Sequence, residues 1–455
     1  MSIQQAQRYH LHPSVFYRCY GEKTVVYLTS QQKVFTFGGS VDNILFCFKE
    51  YCSIEETLQK LSTLYEIEDQ QVFYSTVVDF VYQLADLGII EPEYQQYEED
   101  ASLESEIKSY FSDTNVLYAM TFELTYHCNE RCRHCYISQK DLPEMSTTQI
   151  KTVIHDLRKM GVFNLIFTGG ELFVRKDTFE ILEYAYSEGF IIDIFTNGTL
   201  LDGDDIIRLK SIWPRSVHFS LYSHRADKHD SITQVKGSFE KTIKAIKSCI
   251  TIGIPVNIKT PIMTETIDDV RGIANLAKSL RASIELGSEI TPKKNGDLQP
   301  TKLKITDEYS ETVVIDTIKE LIPSKTEVTP SQDSKSKLLC GAGQHSLSIN
   351  PYGEVYPCIM LQLCIGNATQ NSIKDIWEQS ESLFAWRENN LRANRIGCDG
   401  CKFADECVFC PGEALMRTGN PLHKYDEACQ STHRAINRKK QKGGKSDEGN
   451  QKDVL

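Results

Sequence analysis

AMTFELTYHCNERCRHCY, residues 119–136, decides the fold. Its first seven residues, 119–125, are rich in apolar and β-favouring side chains and read as a strand. Immediately after them come Cys128, Cys132 and Cys135, spaced Cys-x3-Cys-x2-Cys, with Tyr136 following. Three thiolates on one tight loop hold three corners of an iron–sulfur cubane and leave the fourth iron open, whereas a closed structural site takes four protein ligands. The same spacing also suits a zinc site completed by His127 or His134.

Working outward, further strand-like runs recur with helices between them: NLIFT (164–168), IIDIFT (191–196), SVHFSL (216–221), IPVNIKT (254–260) and ASIEL (282–286). Ser146 with Gln149, and Asp177 with Glu180, have capping-box spacing at two helix starts. Gly161, Gly189 and Gly253 fall at helix ends. Six βα repeats predict an α/β fold with parallel strands and right-handed crossovers, a partial (β/α)6 barrel over residues 118–290. Chemistry in such folds gathers at the C-terminal ends of the strands. At those ends stand Gly169-Gly170-Glu171, then Asn197, then Ser220 with Tyr222. Glycines admit a close backbone approach, and a carboxylate beside them can hold an amino group. Each of these alone also fits an ordinary βα turn. Together they ring the cysteine loop with polar groups.

The chain has 455 residues, 40% hydrophobic and 25% charged, enough for several packed domains. It has 15 cysteines. No run approaches the ~18 apolar residues of a membrane span, and MSIQQAQRYH lacks the apolar stretch of a secretory signal. A cytoplasmic location is therefore expected, where clustered cysteines read as metal ligands. The net charge of −12 disfavours a nucleic-acid partner. Cys19, Cys47, Cys52 and Cys249 are scattered and read as small buried hydrophobes. The others form a second constellation at 336–433: Cys340, Cys358 and Cys364, then Cys398-x2-Cys401-x5-Cys407-x2-Cys410, then Cys429. So many cysteines in loop-rich sequence are not core residues, and zinc ribbons are the competing reading. Residues 1–95 predict a small α+β unit with a hairpin over 24–37 and three helices. One helix is capped at Ser40, and another starts at the box Ser53-x-x-Glu56. The third runs from Asp69 to Leu87, with Gly88 ending it before a short apolar strand. Residues 96–117 are an acidic linker, 291–335 a polar bridging segment with a helix near 307–321, and 434–455 a tail expected to be disordered.

The cysteine loop with its Tyr136, and the Gly169-Gly170-Glu171, Asn197 and Ser220 positions, resemble the radical S-adenosylmethionine (SAM) superfamily. The resemblance implies that Cys128, Cys132 and Cys135 hold a [4Fe–4S] cluster whose open iron chelates SAM. Glu171 with its two glycines would grip the methionine amino group, and Asn197, Ser220 and Tyr136 would meet the rest of SAM. Cluster reduction of SAM would then yield a 5′-deoxyadenosyl radical that abstracts a hydrogen atom. The later cysteines resemble the SPASM extension with two auxiliary [4Fe–4S] clusters, three clusters in all. Cys398, Cys401, Cys407 and Cys429 would close one. Cys340, Cys358 and Cys410 would bind the other, with Cys364 a candidate fourth ligand because Ser346 stands where some members have cysteine. Cys407 and Cys410 are separated by x2, where the family usually has x3.

Residues 1–95 resemble, in element order, the winged-helix-like PqqD-type domains that bind a leader peptide along a sheet edge. A DNA-binding winged helix is the alternative, disfavoured by the acidic balance. The whole resembles maturases of ribosomally made peptides, above all the thioether-forming sactipeptide and ranthipeptide group. The implied partners are a precursor peptide with a leader and an electron donor such as flavodoxin or ferredoxin. A carbon–carbon cross-linking or epimerising enzyme shares the hydrogen abstraction. A sulfatase-type maturase is opposed by Ile359, where that group usually has an acid, and by the extra N-terminal unit.

Overall fold

A computed structural model of the chain describes residues 8–92, 116–321 and 338–443, apart from positions 30, 32, 40, 50, 66, 68, 288, 289 and 405. Most of the expected linker, the end of the bridging segment and the Ser40 cap lie outside the described residues.

The N-terminal unit comprises β1 (Arg8–Leu11), β2 (Val15–Tyr20), β3 (Lys23–Leu28), β4 (Lys33–Gly38), α1 (Val41–Cys47), β5 (Cys52–Ser53), α2 (Ile54–Ser62), α3 (Gln70–Asp86) and β6 (Ile90–Pro92). The expected hairpin is β3–β4, and β2 extends it to an antiparallel meander in which β4 is an edge. A second small sheet, in the order β5-β1-β6, uses strands too short to stand out in the sequence. The Ser53–Glu56 capping box forms, and Asp69 caps α3 by accepting from Gln71 and Val72. One face of the meander joins the helices around Val26, Leu28, Leu45, Phe48, Val81 and Leu84. The other face, Phe16, Val25 and Tyr27, packs on Phe163 and Ile191 at the N-terminal ends of the barrel strands. Arg18 is buried there, donating to Val162 O and lying over the rings of Phe163 and Phe190.

The barrel strands are β7 (Ala119–Glu123), β8 (Asn164–Thr168), β9 (Ile191–Thr196), β10 (Ser216–Ser220), β11 (Val256–Pro261) and β12 (Ser283–Gly287), all parallel. Between them run α4 (Thr147–Lys159), α5 (Thr178–Ser187), α6 (Gly203–Ser211), α7 (Ala226–Thr233), α8 (Ser238–Thr251) and α9 (Val270–Leu280). Met120 and Phe122, Leu165 and Phe167, Ile192 and Ile194, Val217 and Phe219 enter the main hydrophobic core. The two-residue period of a strand then turns Glu123, Asp193 and His218 to the other face, the barrel interior. The Ser146–Gln149 capping box forms. The Asp177–Glu180 box does not: Asp177 is taken by Arg175 and Thr147 instead.

The sheet does not end at six strands. After α10 (Glu308–Leu321), β13 (Ser346–Ile349) pairs parallel to β7, and β14 (Glu354–Tyr356) and β15 (Gly366–Asn367) add antiparallel. The nine-stranded order is β12-β11-β10-β9-β8-β7-β13-β14-β15. The cysteine-rich region is thus welded to the barrel by backbone pairing, then continues through α11 (Ile373–Gln379), α12 (Glu381–Asn389) and α13 (Pro411–Thr418). The last helix, α14 (Asp426–Gly443), corrects the expectation of a disordered tail from residue 434. Its Arg434 and Arg438 both meet Glu311 of α10, and Ala428, Thr432 and Ile436 are buried. Residues 444–455 lie outside the described chain.

Candidate active site at the barrel mouth

The cysteine loop leaves β7 and is pinned along its backbone. Gly170 N–H donates to Thr125 O and Glu171 N–H to His127 O, so the chain after β8 runs alongside the entry to the loop. This explains the two glycines. A Cβ at Gly169 would lie 2.3 Å from Thr125 O, and one at Gly170 2.2 Å from His127 O. Gly169 also has φ +140°, where side chains are strained. The close approach is to the protein's own cysteine loop. On the other side, Arg131 N–H and Arg133 N–H donate to Thr233 O and Ile232 O at the end of α7, and Arg133 pairs with Glu265.

Within the loop, Cys135 N–H donates to Cys132 O, Glu130 N–H to Cys128 Sγ, and Cys132 Sγ to Glu130. The three thiols are electrostatic neighbours, Cys135 with each of the others. Burial pushes the Cys128 thiol up to about 11 and raises Cys132 and Cys135 as well. Free, these thiols hold their protons, and iron binding releases them.

Glu171 is buried, and burial raises its pKa against the hydrogen bonds it accepts. Oε1 accepts from Thr196 Oγ1 (2.7 Å) and Phe173 N–H, and Oε2 from Asn197 N–H (2.7 Å). The carboxylate therefore ties the ends of β8 and β9 together, a role that spacing alone did not show. Asn197 Nδ2 donates to Asn129 Oδ1 inside the cysteine loop, and Asn129 Nδ2 to Thr199. Tyr222, beyond Ser220 at the end of β10, receives the Cys132 thiol at 3.7 Å and meets the ring of His134 edge-on. Ser220 hydrogen-bonds Tyr222. Tyr136 turns toward Glu123, its hydroxyl held by that carboxylate. All the sequence-predicted mouth residues thus surround one loop.

Sequence reading missed the brace beneath the loop. Glu144 accepts from Thr125 Oγ1 and Tyr126 N–H (2.9 Å each), and Arg175 donates to Leu124 O, Met145 O and Asp177. Glu144 carries no motif; Arg175, four residues after Glu171, was the available signal.

Some of the later cysteines are electrostatic neighbours of one another. Cys358 has Cys340 and Cys410 as electrostatic neighbours, and burial pushes Cys410 up to about 11. Cys398, Cys401, Cys407 and Cys429 neighbour one another, and Thr432 donates to Cys407 Sγ. Cys364 is exposed, its thiol donating to Gly366 O, with Tyr356 as an electrostatic neighbour. Cys19 is also exposed, unlike Cys47, Cys52 and Cys249.

All-thiolate donor sets of this kind suit iron–sulfur clusters.

The sequence of residues 122–277 matches the radical SAM superfamily, and residues 340–402 match the SPASM iron–sulfur cluster-binding domain. The antilisterial bacteriocin subtilosin biosynthesis protein AlbA of Bacillus subtilis is 32% identical over 320 residues, 67% of this chain and 69% of that one. The chain belongs to the radical SAM superfamily. An AdoMet-dependent heme synthase of Methanosarcina barkeri is 25% identical over 337 residues, 68% of this chain and 96% of that one. Superfamily membership alone therefore leaves the substrate open. Streptococcus suis SuiB, crystallised with its precursor peptide SuiA, shares the fold with a TM-score of 0.59 at 14% identity, over 93% of this chain and all of that one. Membership makes SAM and iron–sulfur clusters the cofactors of this radical SAM chain, and the mouth residues above are those available to hold them. No described helix is long and apolar enough to cross a membrane.

Proposed function

We propose that the chain is a maturase that installs a thioether between a cysteine sulfur and a carbon of another residue in a ribosomally made precursor peptide. What supports this reading is that Cys364, the candidate fourth ligand of the Cys340, Cys358 and Cys410 set, is exposed and donates its thiol to Gly366 O. The set of Cys340, Cys358 and Cys410 is one ligand short, which leaves a place for a substrate thiolate. The name of the relative AlbA, a bacteriocin biosynthesis protein, supports a peptide substrate.

In this reading Cys128, Cys132 and Cys135 hold the SAM-binding [4Fe–4S] cluster, and the other two sets hold two auxiliary clusters. When bound, the mouth cluster and SAM supply the 5′-deoxyadenosyl radical that takes a hydrogen atom from the peptide. The chain's own residues orient and enclose. Glu171 fixes the relative position of the two strand ends, and its carboxylate would accept from the amino group of bound SAM. Asn197 and Ser220 line the same rim, and Tyr136 closes it toward Glu123.

Residues 1–95 act as a PqqD-like, winged-helix-like recognition unit. Edge strand β4 is the place where a leader adds as a further strand, since it pairs only with β3 among the described strands. Flavodoxin or ferredoxin supplies the electron.

Anaerobically purified chain should be brown, with the broad visible absorption of [4Fe–4S] clusters. With SAM and reductant it should modify a leader-bearing, cysteine-containing precursor. A chain lacking residues 1–95 should still cleave SAM but leave that precursor unmodified. Modification at the normal rate by the shortened chain sinks the assignment of the N-terminal unit.

A further inference from the structure

The barrel interior holds an ion pair whose carboxylate the site above uses only to hold the Tyr136 hydroxyl. Glu123 ends β7 on its inward face and is 1% exposed; its partner, the Lys294 ammonium, is 6% exposed. Lys294 comes from the bridging segment, 171 residues away. Its Nζ also donates to Tyr126 Oη at 2.8 Å, and Tyr126 Oη donates to Glu123 Oε2 at 2.8 Å. The ammonium lies over the rings of Tyr126 (5.0 Å) and Tyr136 (5.6 Å). Glu123 Oε1 is buried with no hydrogen-bond partner.

The pair lies between two cysteine groups. On one side Lys294 N–H donates to Tyr136 O, the residue after Cys135. On the other, the same segment lies on the strand-end turn after Cys358, with Thr291 Oγ1 donating to Met360 Sδ at 3.9 Å. Lys294 and the Cys358 thiol are electrostatic neighbours. The turn is closed from above by Gly412, where a Cβ would meet Met360 O at 2.6 Å. A charge buried this deeply acts at low effective dielectric and is little screened by salt. The neighbouring Lys140–Glu354 pair is 45% and 25% exposed and acts much more weakly.

We propose that Glu123 and Lys294 are positioning residues that set the reduction potential of the auxiliary cluster on Cys340, Cys358 and Cys410, with opposite signs. This rests on the cluster assignment made above. Reduction adds a negative charge to a cluster. The Lys294 ammonium favours the reduced form and raises the potential. The Glu123 carboxylate, paired with that ammonium, opposes it and keeps it fixed. Joining a thiolate to a carbon radical forms one C–S bond and leaves one electron over. A cluster poised to accept it completes the balance, the thiol proton having left when the thiolate formed.

The test is an EPR-monitored redox titration of full-length, cluster-loaded protein. The SAM-binding cluster is recognised by its change on adding SAM. Lys294→Met should lower the auxiliary midpoint, Glu123→Gln should raise it, and Lys294→Arg should stay near wild type. The SAM-binding cluster should move less in each. Since Lys294→Met leaves a buried carboxylate unpaired and can impair folding, the double variant Glu123→Gln/Lys294→Met provides the second arm, with a midpoint between those of the single changes. Midpoints that do not move, or that move the same way in both single variants, overturn the proposal. Wild-type protein with iron only at the mouth set overturns the cluster assignment itself, and iron analysis separates that outcome from the first.

Discussion

The mouth thiols and the Cys398–Cys429 thiols are both cysteine sets, yet they are held in opposite ways. Cys128, Cys132 and Cys135 lie on one short loop whose backbone is bonded on one side to residues 170–171 and on the other to 232–233. The Arg175–Glu144 brace fixes its root. The Cys398–Cys429 set spans loops and the start of α14; each set has one exposed thiol, Cys128 at the mouth and Cys401 here. Burial raises the mouth thiols strongly, Cys128 to about 11, whereas Cys398 and Cys429 rise with smaller burial and partial relief from Lys424. The mouth loop is thus held by backbone bonds to its neighbours, and the Cys398–Cys429 region is expected to depend more on bound metal.

The contrast can be broken most forcefully by cysteine replacement. Ala at Cys128, Cys132 and Cys135 together should remove about four irons and reduce 5′-deoxyadenosine release to background. Ala at Cys398, Cys401, Cys407 and Cys429 should remove as many irons and leave abortive SAM cleavage measurable. Equal loss of SAM cleavage in both variants contradicts the division of labour.

Next is metal removal. In chelator-treated protein, amide hydrogen exchange should rise sharply over residues 395–430 and remain slow in β7–β10. Comparable exposure of both regions would show that the mouth depends on metal as much as the periphery does.

A smaller effect follows from the mouth glycines. Gly170→Ala places a methyl against His127 O, 2.2 Å away, and should cost roughly 1–3 kcal/mol of stability while disturbing SAM binding. Gly400→Ala, in the peripheral set, meets nothing within 4 Å and should leave SAM binding unchanged, though its positive φ adds local strain. Denaturation midpoints and SAM calorimetry read both. Glu171→Gln should weaken SAM about tenfold, equivalent to ~1.4 kcal/mol, because its amide presents a donor toward Asn197 N–H or Thr196 Oγ1, which are themselves donors.

The smallest effect is on pH dependence. Burial lowers His12, against the barrel base, and His229, behind Tyr222, to about 4 from an ordinary 6.5. The folded chain keeps both neutral, while the unfolded chain takes up protons below 6.5. Their stabilising contribution is complete above 6.5 and is lost as pH falls toward 4, at about 1.4 kcal/mol per pKa unit for each. Urea midpoints should drop between pH 7 and pH 5. Replacing both histidines with Gln should flatten that slope, and an unchanged slope would contradict the sign.

How much of this was legible in sequence follows from distance along the chain. Runs 164–168 and 191–196 became β8 and β9 as read, because alternation and short βα turns are local signals. The boxes at Ser53 and Ser146 formed because three-residue spacing fixes their geometry. The Asp177 box failed because Arg175 offers that carboxylate a charged partner, stronger than a backbone N–H. Strands β13 to β15 span four, three and two residues, and β13 is a strand through its pairing with β7 and β14, far apart or unmarked in sequence. α14 beyond residue 434 reads as a polar tail until Glu311 supplies the partner for Arg434 and Arg438. The cysteine sets were legible because chemistry, not packing, fixes their spacing. The Glu123–Lys294 pair was not, since nothing near either residue names the other.

Mass spectrometry of the product tests the central claim most directly. Full-length, cluster-loaded protein is incubated anaerobically with SAM, reductant and a leader-bearing precursor, and the peptide is then alkylated and fragmented. A thioether synthase yields a peptide two hydrogens lighter per link, with one cysteine per link that no longer alkylates. A product in which every cysteine still alkylates contradicts the thioether reading: a loss of two hydrogens then points to carbon–carbon linkage, and a mass unchanged in ordinary water but raised by one unit per centre in deuterated water points to epimerisation.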